Sequence, residues 1–255
     1  MKREFEILNN FFDKIIIITL PRAGERQANI EKELAGLNYE FFFGEDKKQH
    51  TLEEVKRENI YNEKASMRLA RSGNKMTLGH ICCSWSHRKV YEEIIKNNWQ
   101  KILIFEDDVV LIKENADQIE AILSQIPSTW ELLYLGWMEN EKVNLATKLK
   151  QTIYHIKHSL GLLKWNHTQI GNLYPRKFTK NLMHAGFHNC THAFALTLSG
   201  AKKLIQLQTP IVFNADALLA HAITTQSVEA FISLPKIFTQ ASIEIPAAAH
   251  SFVNE

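Results

Sequence analysis

Two short runs of apolar residues, Ile15–Leu20 in "KIIIITL" and Ile102–Phe105 in "KILIFEDD", constrain this chain most. Neither has helical spacing, and both are rich in residues that pack well in the middle of a sheet, so each predicts a buried strand. The first run ends at Pro21. Glu25–Leu34 then reads as a helix that stops before Gly36, and Tyr39–Phe43 as a second strand. Strand, helix and strand in quick succession open an α/β sheet. Thr77–Asn97 predicts a helix, because Cys83, His87, Val90 and Ile94 fall on one face. A further helix is expected over Glu114–Ile126, before Pro127, and a strand in "ELLYLG". Later come a strand in "HAFALTL" and helices in "SGAKKLIQL" and "ADALLAHAITT". With 255 residues, no internal repeat and no low-complexity linker, the chain reads as one domain, 1–255.

The second run ends in three consecutive acids, Glu106, Asp107 and Asp108. Adjacent carboxylates repel, and the end of a buried strand is a costly place to hold them. In an open α/β sheet, ligands sit outside the carboxyl ends of the strands, which is where this triplet emerges. Side chains alternate along a strand, so Glu106 and Asp108 are expected on one side and Asp107 on the other. Two oxygen donors on one side make half a site for a hard divalent cation such as Mg²⁺ or Mn²⁺, completed by phosphate oxygens and water. The alternative is that the acids cap the next segment or pair with Lys and Arg on a solvated edge.

A formal net charge of +2 does not mark the whole molecule as a nucleic-acid binder. Three cysteines without a CxxC pair suit a reducing compartment, and the apolar start is too short for a signal core or a membrane span. The expected location is cytoplasmic, with peripheral contact at an inner membrane left open. The stretch 142–183 stands apart: eight Lys or Arg, no Asp or Glu, and interspersed aromatics. Without a clear period, it reads as an irregular or weakly helical basic aromatic insertion. The absence of acids suits an anionic, membrane-anchored acceptor, with aromatic faces available for sugars.

Five segments, "IIIITLPRAGERQANI", "GHICCSWSHRKVYEEI", "ILIFEDDVVL", "HAFALTLSGAKKLI" and "PIVFNADALL", occur in an order that resembles glycosyltransferase family 25, the lipooligosaccharide and collagen-type galactosyltransferases. The resemblance implies a GT-A-like nucleotide-sugar-binding α/β/α sandwich with a mostly parallel central sheet. It also implies a strand-end acidic motif that holds Mn²⁺ or Mg²⁺ against the donor diphosphate. UDP-galactose is the donor it implies, and transfer would invert the anomeric centre. The family often has a glycine-rich or tyrosine-containing stretch before the late strand, where this chain has "CTHAFAL".

On that resemblance, Thr19, Leu20, Arg22, Arg26, Ser86, His87 and Asp107 are expected around the donor nucleotide, and Glu106 and Asp108 at the metal with His250 as a third ligand. Guanidinium groups suit phosphates, although Arg22 and Arg26 also read as surface arginines leading into a helix, and His87 as a core histidine. Asp216 is the expected base for the acceptor hydroxyl, against a plain helix-capping role, with Glu139 and Glu141 in reserve. "HAGFHNCTH" invites zinc, but its spacing fits no zinc signature. The expected partners are the sugar nucleotide and a saccharide acceptor, in one form a membrane-anchored lipooligosaccharide, with no nucleic acid. Two rivals stay open: a metal-dependent phosphohydrolase, and a non-enzymatic binding module that uses the basic insertion on an anionic ligand.

Overall fold

The computed structural model describes residues 3–69, 75–138, 140 and 143–241. Helix α1 (Arg3–Phe11) leads into strand β1 (Lys14–Thr19), helix α2 (Gly24–Glu33) and strand β2 (Glu40–Phe43). Two short helices that the apolar pattern did not mark, α3 (Leu52–Arg57) and α4 (Glu63–Leu69), precede the long helix α5 (Leu78–Asn97). The Thr77 hydroxyl accepts from the N–H of His80 to start α5, and Asn98, in the left-handed region, ends it. Strand β3 (Lys101–Glu106) turns at Asp107 and Asp108 into β4 (Val109–Leu111). A 3₁₀ turn over Lys113–Gln118 and helix α6 (Ile119–Gln125) occupy the place of the single helix expected over 114–126. Strand β5 (Leu132–Met138) follows.

The basic segment is more regular than its sequence suggested. It forms a four-turn helix, α7 (Leu145–Ser159), a short helix, α8 (His167–Gly171), and two strands, β6 (Arg176–Lys177) and β7 (Leu182–His184), that extend the sheet. Strand β8 (Asn189–Thr197), helices α9 (Leu198–Leu207) and α10 (Ala215–Thr224), and strands β9 (Ala230–Ser233) and β10 (Phe238–Gln240) complete the chain.

The main sheet has the order β2-β1-β3-β8-β5-β9-β7-β6. Strand β1 pairs in parallel with β2 and β3, and β5 in parallel with β9. Because β8 and β7 are antiparallel to their neighbours, they alone oppose the direction shared by the other strands. Most strands therefore run one way although the sheet is mixed.

Alternation along the strands builds a core on each face. Ile15, Ile17, Leu103, Phe105, Leu133 and Leu135 pack against α1, α2 and α6. Ile16, Ile102, Ile104, Leu132, Tyr134 and Phe194 pack against α5, α9 and α10. The result is a three-layer α/β/α sandwich. Each of these fully buried side chains contributes about 1.5–3 kcal/mol of hydrophobic stabilisation. Their aggregate fixes the register that brings the strand ends together.

Candidate active site

The register of β3 decides where the acids go. Ile102 and Ile104 face α5, so strand parity sends Glu106 the same way, towards a helix whose inner face carries His87. His87 is 1% exposed, and its Nε2 lies 3.4 Å from Glu106 Oε1, near enough for an ion pair but misaligned for a hydrogen bond. Thr191, on the antiparallel neighbour β8, donates its hydroxyl to the same Glu106 oxygen. Burial works to raise the Glu106 carboxyl, but His87, Thr191 and His192 together outweigh it and hold it below the usual carboxylate range.

Asp107 turns the other way. Its Oδ2 accepts from the Thr19 hydroxyl at 2.6 Å, and its Oδ1 from the Arg26 guanidinium at 2.7 Å. The first turn of α2 therefore delivers a cation to the end of β3, while Thr19 contributes from the end of β1 in parallel register. Asp108 is answered only in part, by a side-chain hydrogen bond with Gln240. Its Oδ1 is buried without a hydrogen-bond acceptance, and burial, reinforced by Glu106 and Asp107 against the relief of Arg26, pushes the carboxyl up to about 7. Asp107 thus finds a guanidinium and Glu106 a hydroxyl donor beside an imidazole, whereas Asp108 keeps one oxygen that no protein group answers.

The other expected residues divide. Arg22 turns to Asp46, with Nε 2.5 Å from Oδ2, so it braces the loop after β2. Leu20 offers its carbonyl to the N–H of Ala23 and to the Gln27 amide. Ser86 is a bracket: its hydroxyl donates to the Cys82 carbonyl and accepts from the N–H of Glu45, so α5 is tied to the loop after β2. That loop passes so close that a Cβ at Gly44 would stand 2.4 Å from Ser86 Oγ. Glu139, Glu141 and His250 lie outside the described residues.

Asp216 is not the cap of its helix. Asn214 holds that position, and Asp216 sits in the first turn of α10, with Oδ1 accepting from the N–H of Ala217 at 2.8 Å. Burial, with a contribution from Glu106, raises its carboxyl above the ordinary range, while His80 acts the other way. Asp216, Glu106, Cys83 and His80 therefore share one electrostatic neighbourhood at the carboxyl end of β3.

Sequence reasoning did not assign Cys83, Thr191 or His80 to this site. Cys83 and His87 stand one turn apart on α5, and Cys83 Sγ, a His87 nitrogen and a Glu106 oxygen lie within 4.8 Å of one another. This sulfur and nitrogen company is softer than Mg²⁺ or Mn²⁺ prefers, whereas the unpartnered Asp108 oxygen is a hard donor that suits either. The zinc pattern in "HAGFHNCTH" does not assemble among the described residues. His184 packs on Phe178 and Phe231, His188 on Tyr134 and Trp137, and His192 lies over Gly136, where a Cβ would stand 2.2 Å from its Nε2.

Comparison with known proteins places this geometry in context. A family model described as "Glycosyltransferase family 25 (LPS biosynthesis protein)" matches residues 12–219. The human protein named "Inactive glycosyltransferase 25 family member 3" is 29% identical over 140 residues, 54% of this chain and 19% of that protein. Mouse "Procollagen galactosyltransferase 2" is 25% identical over 199 residues, 76% of this chain and 27% of that protein. The chain thus spans about a fifth to a quarter of the length of these curated relatives. The apo structure of mouse xyloside xylosyltransferase 1 covers 89% of this chain and is itself covered to 71%, with 10% identity and a TM-score of 0.34, too distant to bear on the fold.

Proposed function

The chain belongs to glycosyltransferase family 25, and from that premise we propose that it transfers a hexose, with galactose from UDP-galactose as the first candidate, to a saccharide acceptor in surface-glycan or lipooligosaccharide assembly. The observation that carries this reading is the half-buried Asp108, whose Oδ1 is enclosed without a hydrogen-bond partner, at the carboxyl end of the central strand beside Glu106. A structural carboxylate would be satisfied by the protein; this one suits a ligand that arrives with positive charge.

The donor set fits a divalent cation through Asp108, with Glu106 adjacent. When bound, Mn²⁺ or Mg²⁺ neutralises charge that develops on a nucleotide diphosphate leaving group. The protein's own groups supply the rest. Asp107, held by Thr19 and Arg26, fixes the turn that presents Asp108 and keeps a guanidinium beside the phosphate position. His87 and Thr191 orient Glu106. Asp216, whose carboxyl is raised by burial, is suited to take the acceptor hydroxyl's proton as the hydroxyl oxygen attacks the sugar carbon from the face opposite the nucleotide. Direct displacement of this kind inverts the anomeric centre without a covalent glycosyl intermediate.

The test is nucleotide release from a panel of sugar nucleotides, with Mn²⁺, with chelator, and with Asp108→Asn. Release of UDP from one donor that needs Mn²⁺ and is lost in the variant supports the reading. Release of inorganic phosphate without an acceptor would instead favour a phosphohydrolase. The human relative is named an inactive member of the family, so a second reading, a fold that binds the nucleotide without turning it over, has a specific motive. Tight UDP binding by calorimetry, without release or transfer on any acceptor, would select it.

A further inference from the structure

Helix α7 is built the wrong way round for a helix that only packs on its own domain. The face it turns to the protein is polar and aromatic: Gln151 donates to the Ile170 carbonyl, His155 meets His167, His158 lies 3.3 Å from the Leu163 carbonyl, and Tyr154 packs with Trp165. Its apolar residues point outwards. Leu145, Leu149, Ile153, Ile156 and Leu160 follow one another at helical spacing along a single stripe, and they are between 42% and 85% exposed. None of the residues of this helix is buried. Leu162, just beyond a glycine at φ +71° that turns the chain, adds a further exposed leucine at the end. Contiguous apolar surface on this scale is not left to water without a reason.

The charges say what covers it. On a helical wheel, Lys150 and Lys157 flank the stripe on one side and Lys148 on the other. From Lys142 to Ala215 the sequence has no Asp or Glu at all. A second copy of this helix docked by two-fold symmetry would set lysines against lysines with no acid in the segment to answer them. A leaflet that contains anionic lipid answers both features together: acyl chains take the leucine and isoleucine stripe, and phosphates take the flanking ammonium groups. No helix among the described residues is long and apolar enough to cross a membrane, so α7 lies on a surface and does not span it.

We propose that α7 is an interfacial anchor that docks this protein on an anionic lipid surface through Leu145, Leu149, Ile153, Ile156 and Leu160. The helix follows β5, whose carboxyl end lies at the same end of the sheet as Glu106, after a short connection. Docking through α7 therefore tethers the candidate active site to the lipid surface. The anchor is independent of the transferase reading: its failure would leave nucleotide chemistry untouched, and loss of nucleotide chemistry would leave the anchor intact.

The experiment is flotation of the full chain with vesicles of phosphatidylcholine alone and of phosphatidylcholine with about one third phosphatidylglycerol, at low and high salt. The wild type is expected to float with the anionic vesicles and to be released by salt. Leu149→Glu with Ile156→Glu is expected to abolish flotation, and each of Lys148→Gln, Lys150→Gln and Lys157→Gln to weaken it about five-fold. All five positions are surface sites, so unchanged melting curves confirm that the variants are folded. Three results would overturn the proposal: a folded wild type that stays unbound at low salt, flotation indifferent to the Glu pair, or light scattering that shows a dimer dissolved by that pair with no vesicle binding.

Discussion

Two carboxylates, the buried Glu131 and the half-buried Asp108, sit at opposite ends of the same sheet and are treated in opposite ways. Glu131, just before β5, is fully partnered: its side chain accepts from Ser199 and Lys203 at 2.6 Å each and from the N–H of Glu229 at 3.0 Å. Burial would raise its carboxyl, but these donors outweigh burial and hold it below the usual range. Asp108, at the end of β3, keeps an unpartnered oxygen and has its carboxyl pushed up to about 7. The two residues are chemically alike, so the difference lies in what the fold supplies. A complete donor set marks a carboxylate that serves stability, and a missing partner marks one kept for a ligand.

The strongest way to break this comparison is Asp108→Asn. Nucleotide release or transfer should fall at least about 100-fold, while the melting temperature holds or rises, because a carboxylate that burial and two neighbouring acids disfavour, and that the protein answers only in part, has been made neutral. A variant that keeps its activity would end the contrast at that point. Glu131→Ala should do the reverse. It should lower stability by about 2–3 kcal/mol in denaturant titration, since Lys203 and the N–H of Glu229 lose their acceptor, and leave activity per folded molecule unchanged.

Arg26→Ala sharpens the first half. Asp107 would keep only Thr19, and the affinity for UDP should weaken about ten-fold by calorimetry with little loss of fold. The smallest effect concerns pH. Because the folded carboxyl of Glu131 is depressed, its stabilisation is complete above the ordinary glutamate pKa and is lost as pH falls through the lower folded value. The stability gap between wild type and Glu131→Gln should therefore narrow on acidification below about pH 4.5. A gap that widens with acid would mean that the donors around Glu131 do not favour its charged form.

Much of the architecture was legible along the chain. Ile15–Leu20, Ile102–Phe105 and "HAFALTL" announced central strands because residues buried on both faces leave an uninterrupted apolar record. The inner face of α5, with Cys83, His87, Val90 and Ile94, was legible for the same reason. Helix α7 was not, because its stripe faces outwards amid lysines and resembles a solvated charge run until the partner face is known. Within the site, alternation correctly separated Glu106 from Asp107, but β3 ends at Glu106, and the turn that follows takes Asp108 out of the strand's alternation. Thr191 went unread because its part depends on β8 lying antiparallel beside β3. A motif search saw only the histidines and the cysteine around it.

The sequence by itself determined that three carboxylates would crowd one strand end and that 142–183 would carry cations without acids, since both are matters of covalent order. It also set the apolar periods from which the layers follow. Only the tertiary structure decided which acid would be answered. The groups that hold Asp107, Arg26 and Thr19, lie 81 and 88 residues away, and they reach it because β1 and β3 align in parallel register. Electrostatic energy depends on distances of a few ångströms, and distances between residues so far apart along the chain exist only once the sheet has formed.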